Sequence, residues 1–219
     1  MNMLYIVATP IGNLEDITLR ALSTLKEVDY IAAEDTRHSK ILMNKYEIKT
    51  PLHSYHSYSS DAKVQRIVED LKDGKTVAVI SDAGTPGISD PAYTLIKAAI
   101  EEGIQIVPIP GASSMLAAIV ASGLPMNQFL YLGFLPVKKG RQTLLKELAD
   151  EKRTIVIFES PHRLLKTLPQ LEEYLGDRQI AVCRELTKLH EEIFRGKISE
   201  ATEHFTNKKP RGEFVLVIK

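Results

Sequence analysis

Four stretches of this sequence place carboxylates beside an arginine, a lysine or glycines directly after, or at the end of, an apolar run. They are Ala33-Glu34-Asp35-Thr36-Arg37, Ser81-Asp82-Ala83-Gly84-Thr85-Pro86-Gly87-Ile88-Ser89-Asp90-Pro91, Glu159-Ser160-Pro161-His162-Arg163 and Arg184-Glu185-Leu186-Thr187-Lys188. A carboxylate can take a proton from a hydroxyl or accept its hydrogen bond. A guanidinium grips phosphate oxygens in a planar fork. Glycines let backbone N–H groups approach a ligand with no Cβ in the way. Taken singly, each stretch also serves as a tight turn or helix cap, with its arginine paired to the adjacent carboxylate. A chain that only has to fold needs caps at such places, not charged pairs at strand after strand. The recurrence points to a ligand cleft lined by strand ends. Glu34, Asp35, Glu159, His162, Glu185 and Lys188 are the proton acceptors on offer for general-base work, and Arg37, Arg163 and Arg184 are the phosphate forks.

Several chemistries are excluded. Val7-Ala8-Thr9-Pro10-Ile11-Gly12-Asn13 is a strand-to-turn segment without the three glycines of a dinucleotide fingerprint, and it has no P-loop Lys-Ser/Thr. No Gly-x-Ser-x-Gly elbow occurs. One cysteine and six scattered histidines give no structural zinc spacing, so no metal is expected. Pro110-Gly111-Ala112-Ser113-Ser114 ends a strand and opens a helix; it reads equally as a cap or as N–H groups and hydroxyls offered to a ligand.

These loops need rigid elements behind them. Apolar β-type runs at Met3–Thr9, Val28–Ala33, Thr76–Ile80 and Ile104–Ile109 alternate with helical patterns at Ile17–Glu27, Ser39–Tyr46, Ala62–Asp73, Ala92–Glu102 and Met115–Ser122. That is the β-loop-α alternation of a parallel sheet. Asp90 is placed to cap the helix from Ala92, with Pro91 in its first turn. His53–Ser60 is a polar stretch. Gly123-Leu124-Pro125-Met126-Asn127 is the best linker. Beyond it come strands at Phe129–Leu135, Thr154–Phe158, Gln179–Cys183, Glu192–Phe194 and Glu213–Ile218, with helices at Thr143–Ala149, Leu164–Leu175 and Ile198–Phe205. The expectation is an α/β protein of two α/β domains, residues 1–122 and 123–219, hinged near residue 124 with a cofactor cleft between them.

Composition fits a globular protein: 219 residues, 44% hydrophobic and 26% charged. A single cysteine suits a reducing compartment, the N-terminus lacks a signal-peptide pattern, and no apolar run reaches the length of a membrane span. A cytoplasmic protein with no membrane partner is expected. The balanced charge hides an asymmetry: residues 1–118 carry 11 basic and 15 acidic side chains, residues 119–219 carry 17 and 13. The basic groups concentrate at Lys138, Lys139 and Arg141 and at Lys208, Lys209 and Arg211. This is either solvated surface charge or a face for a polyanion such as RNA.

The ordered set TPIGNLEDIT (9–18), AEDTR (33–37), SDAGTPGISDP (81–91), PIPGASS (108–114), FESPHR (158–163), RELTKLHEE (184–192) and RGEFVLV (211–217) spans nearly the whole chain. It resembles the tetrapyrrole-methylase-like, or class III, S-adenosylmethionine-dependent methyltransferases, in their ribosomal-RNA-modifying branch. The resemblance implies two α/β domains, a homodimer, and S-adenosylmethionine folded into the interdomain cleft. It also implies 2′-O-methylation of a cytidine ribose in the decoding region of 16S rRNA, on free rRNA or the small ribosomal subunit. Carried over residue by residue, the cofactor site comprises Pro10, Ile11, Gly12, Asp82, Ala83, Gly84, Ile88, Ser113 and Ser114, with Phe158 and Glu213 from the second domain. Phe158, Glu159, Glu185 and Glu213 match nucleoside contacts, and of the proton acceptors above the carboxylates Glu34, Asp35, Glu159 and Glu185 are the catalytic candidates. Arg37, Lys138, Lys139, Arg141, Arg163 and Arg184 are the expected RNA contacts. Ser-Asp-Ala-Gly stands where tetrapyrrole methylases carry Gly-Asp-Pro, which separates this chain from corrin and siroheme enzymes. The competing expectations are a tetrapyrrole methyltransferase, a non-catalytic RNA-binding module, and a non-catalytic phosphate-binding regulator.

Overall fold

The computed structural model describes residues 2–56, 61–90 and 92–219. Ser57–Ser60 of the polar stretch and Pro91 of the long loop lie outside the described residues. The chain divides into two compact units, residues 1–113 and 114–219.

In the first unit, strands β1 (Met3–Val7), β2 (Tyr30–Ala33), β3 (Leu52–Ser54), β4 (Val77–Ile80) and β5 (Gln105–Ile109) form a parallel sheet in the order β3-β2-β4-β1-β5. Helices α1 (Leu19–Glu27) and α2 (Thr36–Lys45) cover one face; α3 (Asp61–Lys72) and α4 (Ala92–Glu101) cover the other. Successive strand residues therefore alternate between two cores. Leu4, Ala32, Val77 and Val79 pack towards α3 and α4, while Ile31, Ala33, Ala78 and Ile80 pack towards α1 and α2. Burial on both faces is why these strands read as unbroken apolar runs. Register pairs Val7 with Ile109, and Ala33 with both Ile80 and Ser54. All the strand-end loops of this unit thus leave one edge of the sheet.

The second unit holds α5 (Ser114–Ser122), β6 (Phe129–Phe134), α6 (Arg141–Leu148), β7 (Thr154–Glu159), α7 (Pro161–Leu175), β8 (Gln179–Arg184), β9 (Glu192–Lys197), α8 (Ile198–Thr206) and β10 (Phe214–Ile218). Its sheet order is β6-β7-β10-β8-β9; β6 and β7 are parallel, and the other pairs are antiparallel. α6, α7 and α8 bury the core face around Ile155, Ile157, Leu216 and Phe205. α5 packs on β8 and β10, and the Cys183 thiol donates to the Ala118 carbonyl at 3.9 Å. The units consequently part at Ser113/Ser114, before α5, and not after it at the glycine-proline stretch. A breaker-rich segment marks a turn, but the apolar face of α5 decides which sheet it joins. α7 likewise begins at Pro161, with Ser160 as N-cap, so His162 and Arg163 lie in its first turn.

No helix among the described residues is long and apolar enough to cross a membrane.

Candidate functional site

At the carboxyl edge of the first sheet, the connection leaving β1 runs towards β2 and the one leaving β4 runs towards β5. Opposed connections at neighbouring strands open a crevice in α/β sheets. Gly84 and Thr9 bridge that point, each N–H donating to the other's carbonyl at 3.0 and 2.9 Å. The Thr9 hydroxyl donates to Ser81 O at 3.3 Å, and the Thr85 hydroxyl to Ala112 O at 3.4 Å. Three loops, after β1, β4 and β5, are thereby tied into one rim. Gly84 sits at φ +81, and a Cβ there would stand 3.4 Å from Ile11 Cγ2. Gly111 brings the backbone so close to Ala8 that an added Cβ would lie 3.0 Å from its methyl. Pro10 and Ile11 are buried beneath this rim; Gly12, Ala83 and Ile88 are exposed on it.

Carboxylates cluster on the same rim. The Asp82 side chain accepts from Asp35 N at 3.0 Å, and Glu34 Oε2 accepts from Asp82 N at 3.4 Å. Burial pushes the Glu34 carboxyl above its ordinary range, with the Asp82 and Asp90 charges adding to the rise and the Asp82 N–H opposing it. Asp35 is different: the Arg37 side chain forks onto it at 3.2 and 2.9 Å and holds it down at about 2. Arg37 is therefore paired within its own turn.

A carboxyl raised in the folded state loses its proton more readily when the chain unfolds. Stability then falls as pH climbs from the unfolded towards the folded value. Glu34→Gln, whose amide carbonyl can still accept from Asp82 N, is expected to be more stable than the parent at pH 8, with the gap closing towards pH 4. Urea unfolding at both pH values checks this.

Asp90 holds the far end of the loop. It accepts from Gly87 N at 2.8 Å and from Ala92 N at 2.9 Å, capping α4. Asp90→Ala is expected to cost roughly 1–2 kcal/mol by urea unfolding. A change below a few tenths of a kcal/mol would remove the capping role.

In the second unit, register aligns Phe134 with Phe158, Glu159 with Phe214, Phe214 with Arg184, and Arg184 with Glu192. The basic loop 136–140, the first turn of α7, the loop 185–191 and the turn before β10 meet at one edge. Phe158 packs edge-on against Tyr131 and Phe134, with centroids 5.3 and 5.7 Å apart. Lys188 Nζ lies 2.9 Å from both Glu185 Oε1 and Glu213 Oε2. Burial pushes Glu185 up, but the Glu213 N–H at 2.9 Å and the Lys188 ammonium bring it below its ordinary range. Glu185 and Thr187 adopt φ +49 and +65, a strained backbone for side-chain-bearing residues that nothing in their identity foretells. Arg184 donates to Arg211 O at 2.7 Å and approaches Glu192 at 3.5 Å.

Two sequence expectations are corrected here. Arg141 is no outward-reaching RNA contact. It is buried, and its guanidinium donates to Pro136 O, Gln170 Oε1 and Thr167 Oγ1 at 3.1, 2.9 and 2.8 Å. Glu159 is no available base. Its side chain is fully buried and accepts from Ser160 N and Thr167 Oγ1 at 2.8 and 2.6 Å, with Arg163 at 3.2 Å. Thr167 and Gln170 were invisible as partners because they sit mid-helix among apolar neighbours. Lys138 and Lys139 are exposed, as are Lys208, Lys209 and Arg211. Among the described residues, no three histidine, cysteine or acidic side chains are placed to hold a metal ion.

Comparison with known proteins adds to this geometry. The tetrapyrrole (corrin/porphyrin) methylase family matches residues 3–202. The ribosomal RNA small subunit methyltransferase I of Thermotoga maritima is 53% identical over 218 residues, covering 100% of this chain and 98% of its own. The protein of that name from Halalkalibacterium halodurans is 50% identical, covering 99% of this chain and 75% of its own. Among solved structures, uroporphyrin-III C-methyltransferase of Thermus thermophilus in complex with S-adenosylhomocysteine superimposes with a TM-score of 0.67 at 18% identity, covering 98% of this chain and 96% of that one. That likeness establishes the α/β fold.

Proposed function

We propose, for a chain that belongs to the tetrapyrrole methylase family and within it to the ribosomal RNA small subunit methyltransferase I proteins, that it transfers a methyl group from S-adenosylmethionine to the 2′-hydroxyl of a cytidine in 16S rRNA. The observation that carries this reading is the acceptor-rich rim of the first unit. Glu34 and Asp82 beside exposed backbone at Gly12 and Ala83 would repel a phosphate but suit ribose hydroxyls and cationic groups. S-adenosylmethionine offers a ribose diol, an ammonium and a sulfonium, and no phosphate. When bound, it supplies an already activated methyl group. The chain's own residues then bind, orient and exclude water, and orientation alone can supply roughly 7–11 kcal/mol of a barrier.

Pro10, Ile11, Gly12, Asp82, Ala83, Gly84, Ile88, Ser113 and Ser114 form the proposed cofactor cradle, with Phe158 and Glu213 as contacts from the second unit. Of the carboxylates proposed for proton transfer, Glu34 is the best base because burial raises its pKa. Asp35 at about 2 is a weak one, and Glu185 is held below its usual range. Lys138 and Lys139, with Arg163, Arg184 and Arg37, remain the proposed RNA contacts. The enzyme is further proposed to act in the cytoplasm as a homodimer; light scattering at micromolar concentration that gives a fully active monomer would remove the dimer.

The test is incubation with methyl-labelled S-adenosylmethionine and, separately, small ribosomal subunits, naked 16S rRNA or uroporphyrinogen. Label recovered as 2′-O-methylcytidine in the rRNA supports the reading. Label in uroporphyrinogen alone, or none with calorimetrically silent cofactor, overturns it.

A further inference from the structure

The basic loop 136–140 leaves β6 at two consecutive carbonyls, and each is held by a different arginine. Arg163 Nη2 donates to Leu135 O at 2.7 Å, and Arg141 Nη1 donates to Pro136 O at 3.1 Å. Both arginines run back to one buried carboxylate. Arg163 Nε meets Glu159 Oε1 directly at 3.2 Å. Arg141 reaches Glu159 through the Thr167 hydroxyl, which accepts from Arg141 at 2.8 Å and donates to Glu159 Oε2 at 2.6 Å. Gln170 Oε1 accepts from Arg141 Nε at 2.9 Å. The base of the loop is thus fastened to the first three turns of α7.

Stability alone does not call for such a network. Buried ion clusters are often matched or bettered by apolar packing of the same volume, because desolvation offsets their attraction. Burial, with the neighbouring Arg163, lowers the hold of Arg141 on its proton, and Glu159 opposes that. What the network supplies is direction: guanidinium forks and a carboxylate admit few geometries. Two residues beyond the clamped carbonyls the chain presents exposed Lys138 and Lys139, and Arg141 N closes the turn on Lys138 O at 3.3 Å.

We propose that Glu159, Thr167, Arg141 and Arg163 form a positioning clamp that pre-orders the 136–140 loop, so that its two lysines meet RNA phosphates without a folding cost on binding. The RNA part of this inference rests on the proposed function; the clamp itself does not. A loop ordered in advance loses less entropy on association. The clamp therefore acts on substrate capture, leaving methyl transfer from the bound complex and cofactor affinity unchanged.

Thr167→Val cuts the link between Arg141 and Glu159 at constant volume, and Thr167→Ser restores the hydroxyl. In Thr167→Val, amide exchange at Arg141, whose N–H closes the loop on Lys138 O, is expected to quicken about tenfold while α7 stays protected, as a local opening would. KM for the small subunit is expected to rise about five- to twentyfold with kcat within about twofold. Thr167→Ser should return both to the parent values. Unchanged exchange at Arg141 in a folded Thr167→Val overturns the clamp. Should Thr167→Val not fold, the parent protein decides: slowly exchanging Nε–H signals of Arg141 and Arg163 support the clamp, and their absence overturns it. A Lys138→Ala/Lys139→Ala variant separates the two layers. If its KM matches the parent while Thr167→Val still loosens the loop, the RNA contact is lost and the clamp survives.

Discussion

Gly84→Val is expected to raise the dissociation constant for S-adenosylmethionine at least 100-fold, about 2.7 kcal/mol, while the protein stays folded. The effect has two sources. At φ +81 any L side chain is strained by roughly 1–2 kcal/mol, and a β-branched one more so. A Cβ would also sit 3.4 Å from Ile11 Cγ2 on the loop after β1, so the valine methyls force Ile11 and Gly84 apart. The paired hydrogen bonds between Gly84 and Thr9 transmit that displacement to both rims of the crevice. The control is Gly74→Val. Gly74 adopts φ +91 after α3 with open space where its Cβ would go, so it carries the backbone strain without touching the site. Both variants should lose stability in urea, Gly84→Val the more because of Ile11; only Gly84→Val should lose cofactor binding by calorimetry. Equal affinities in the two would remove the rim from the cofactor site.

The strand-end clusters were legible because a parallel sheet covered on both faces writes its strands as unbroken apolar runs, and the first polar residue after each run marks the edge. Ala33-Glu34 and Ile80-Ser81 fall at such breaks. β3 was not legible: Leu52–Ser54 is a three-residue edge strand with no fully buried residue, so it reads as polar linker. The join between the units was misplaced because glycine and proline report backbone breaks, whereas the surface on which α5 packs depends on contacts with β8 and β10 far along the chain. The same limit applied to charge. Lys138-Lys139-Gly140-Arg141 looks like one basic run, yet Gly140 at φ +82 ends the loop and starts α6, turning Arg141 inward while the lysines stay out. Sequence records how many charges a segment has; the turn within it decides which of them meet solvent.

That division yields the second large effect. Arg141→Ala is expected to destabilise the protein by about 3–5 kcal/mol, since truncating a buried guanidinium leaves the Thr167 hydroxyl, Gln170 and the Pro136 carbonyl without their donor and removes a cation from the surroundings of the buried Glu159. For a chain of this size that corresponds to a fall of roughly 10 °C in unfolding midpoint. Lys138→Ala/Lys139→Ala should behave in the opposite way. Both side chains are exposed, and surface changes of this kind stay within about 0.5 kcal/mol in stability. Their loss should appear in RNA binding, where each phosphate contact contributes about 0.9 to the slope of log affinity against log salt on a duplex. The lysine pair should therefore flatten that slope by up to about 1.8 and leave S-adenosylmethionine affinity unchanged. Thermal unfolding of both variants beside a salt titration of small-subunit binding tests the division. A stable Arg141→Ala that flattens the salt slope as the lysine pair does would mean its guanidinium faces the RNA. A parent-like slope in the lysine pair would remove the 136–140 loop from the RNA-binding surface.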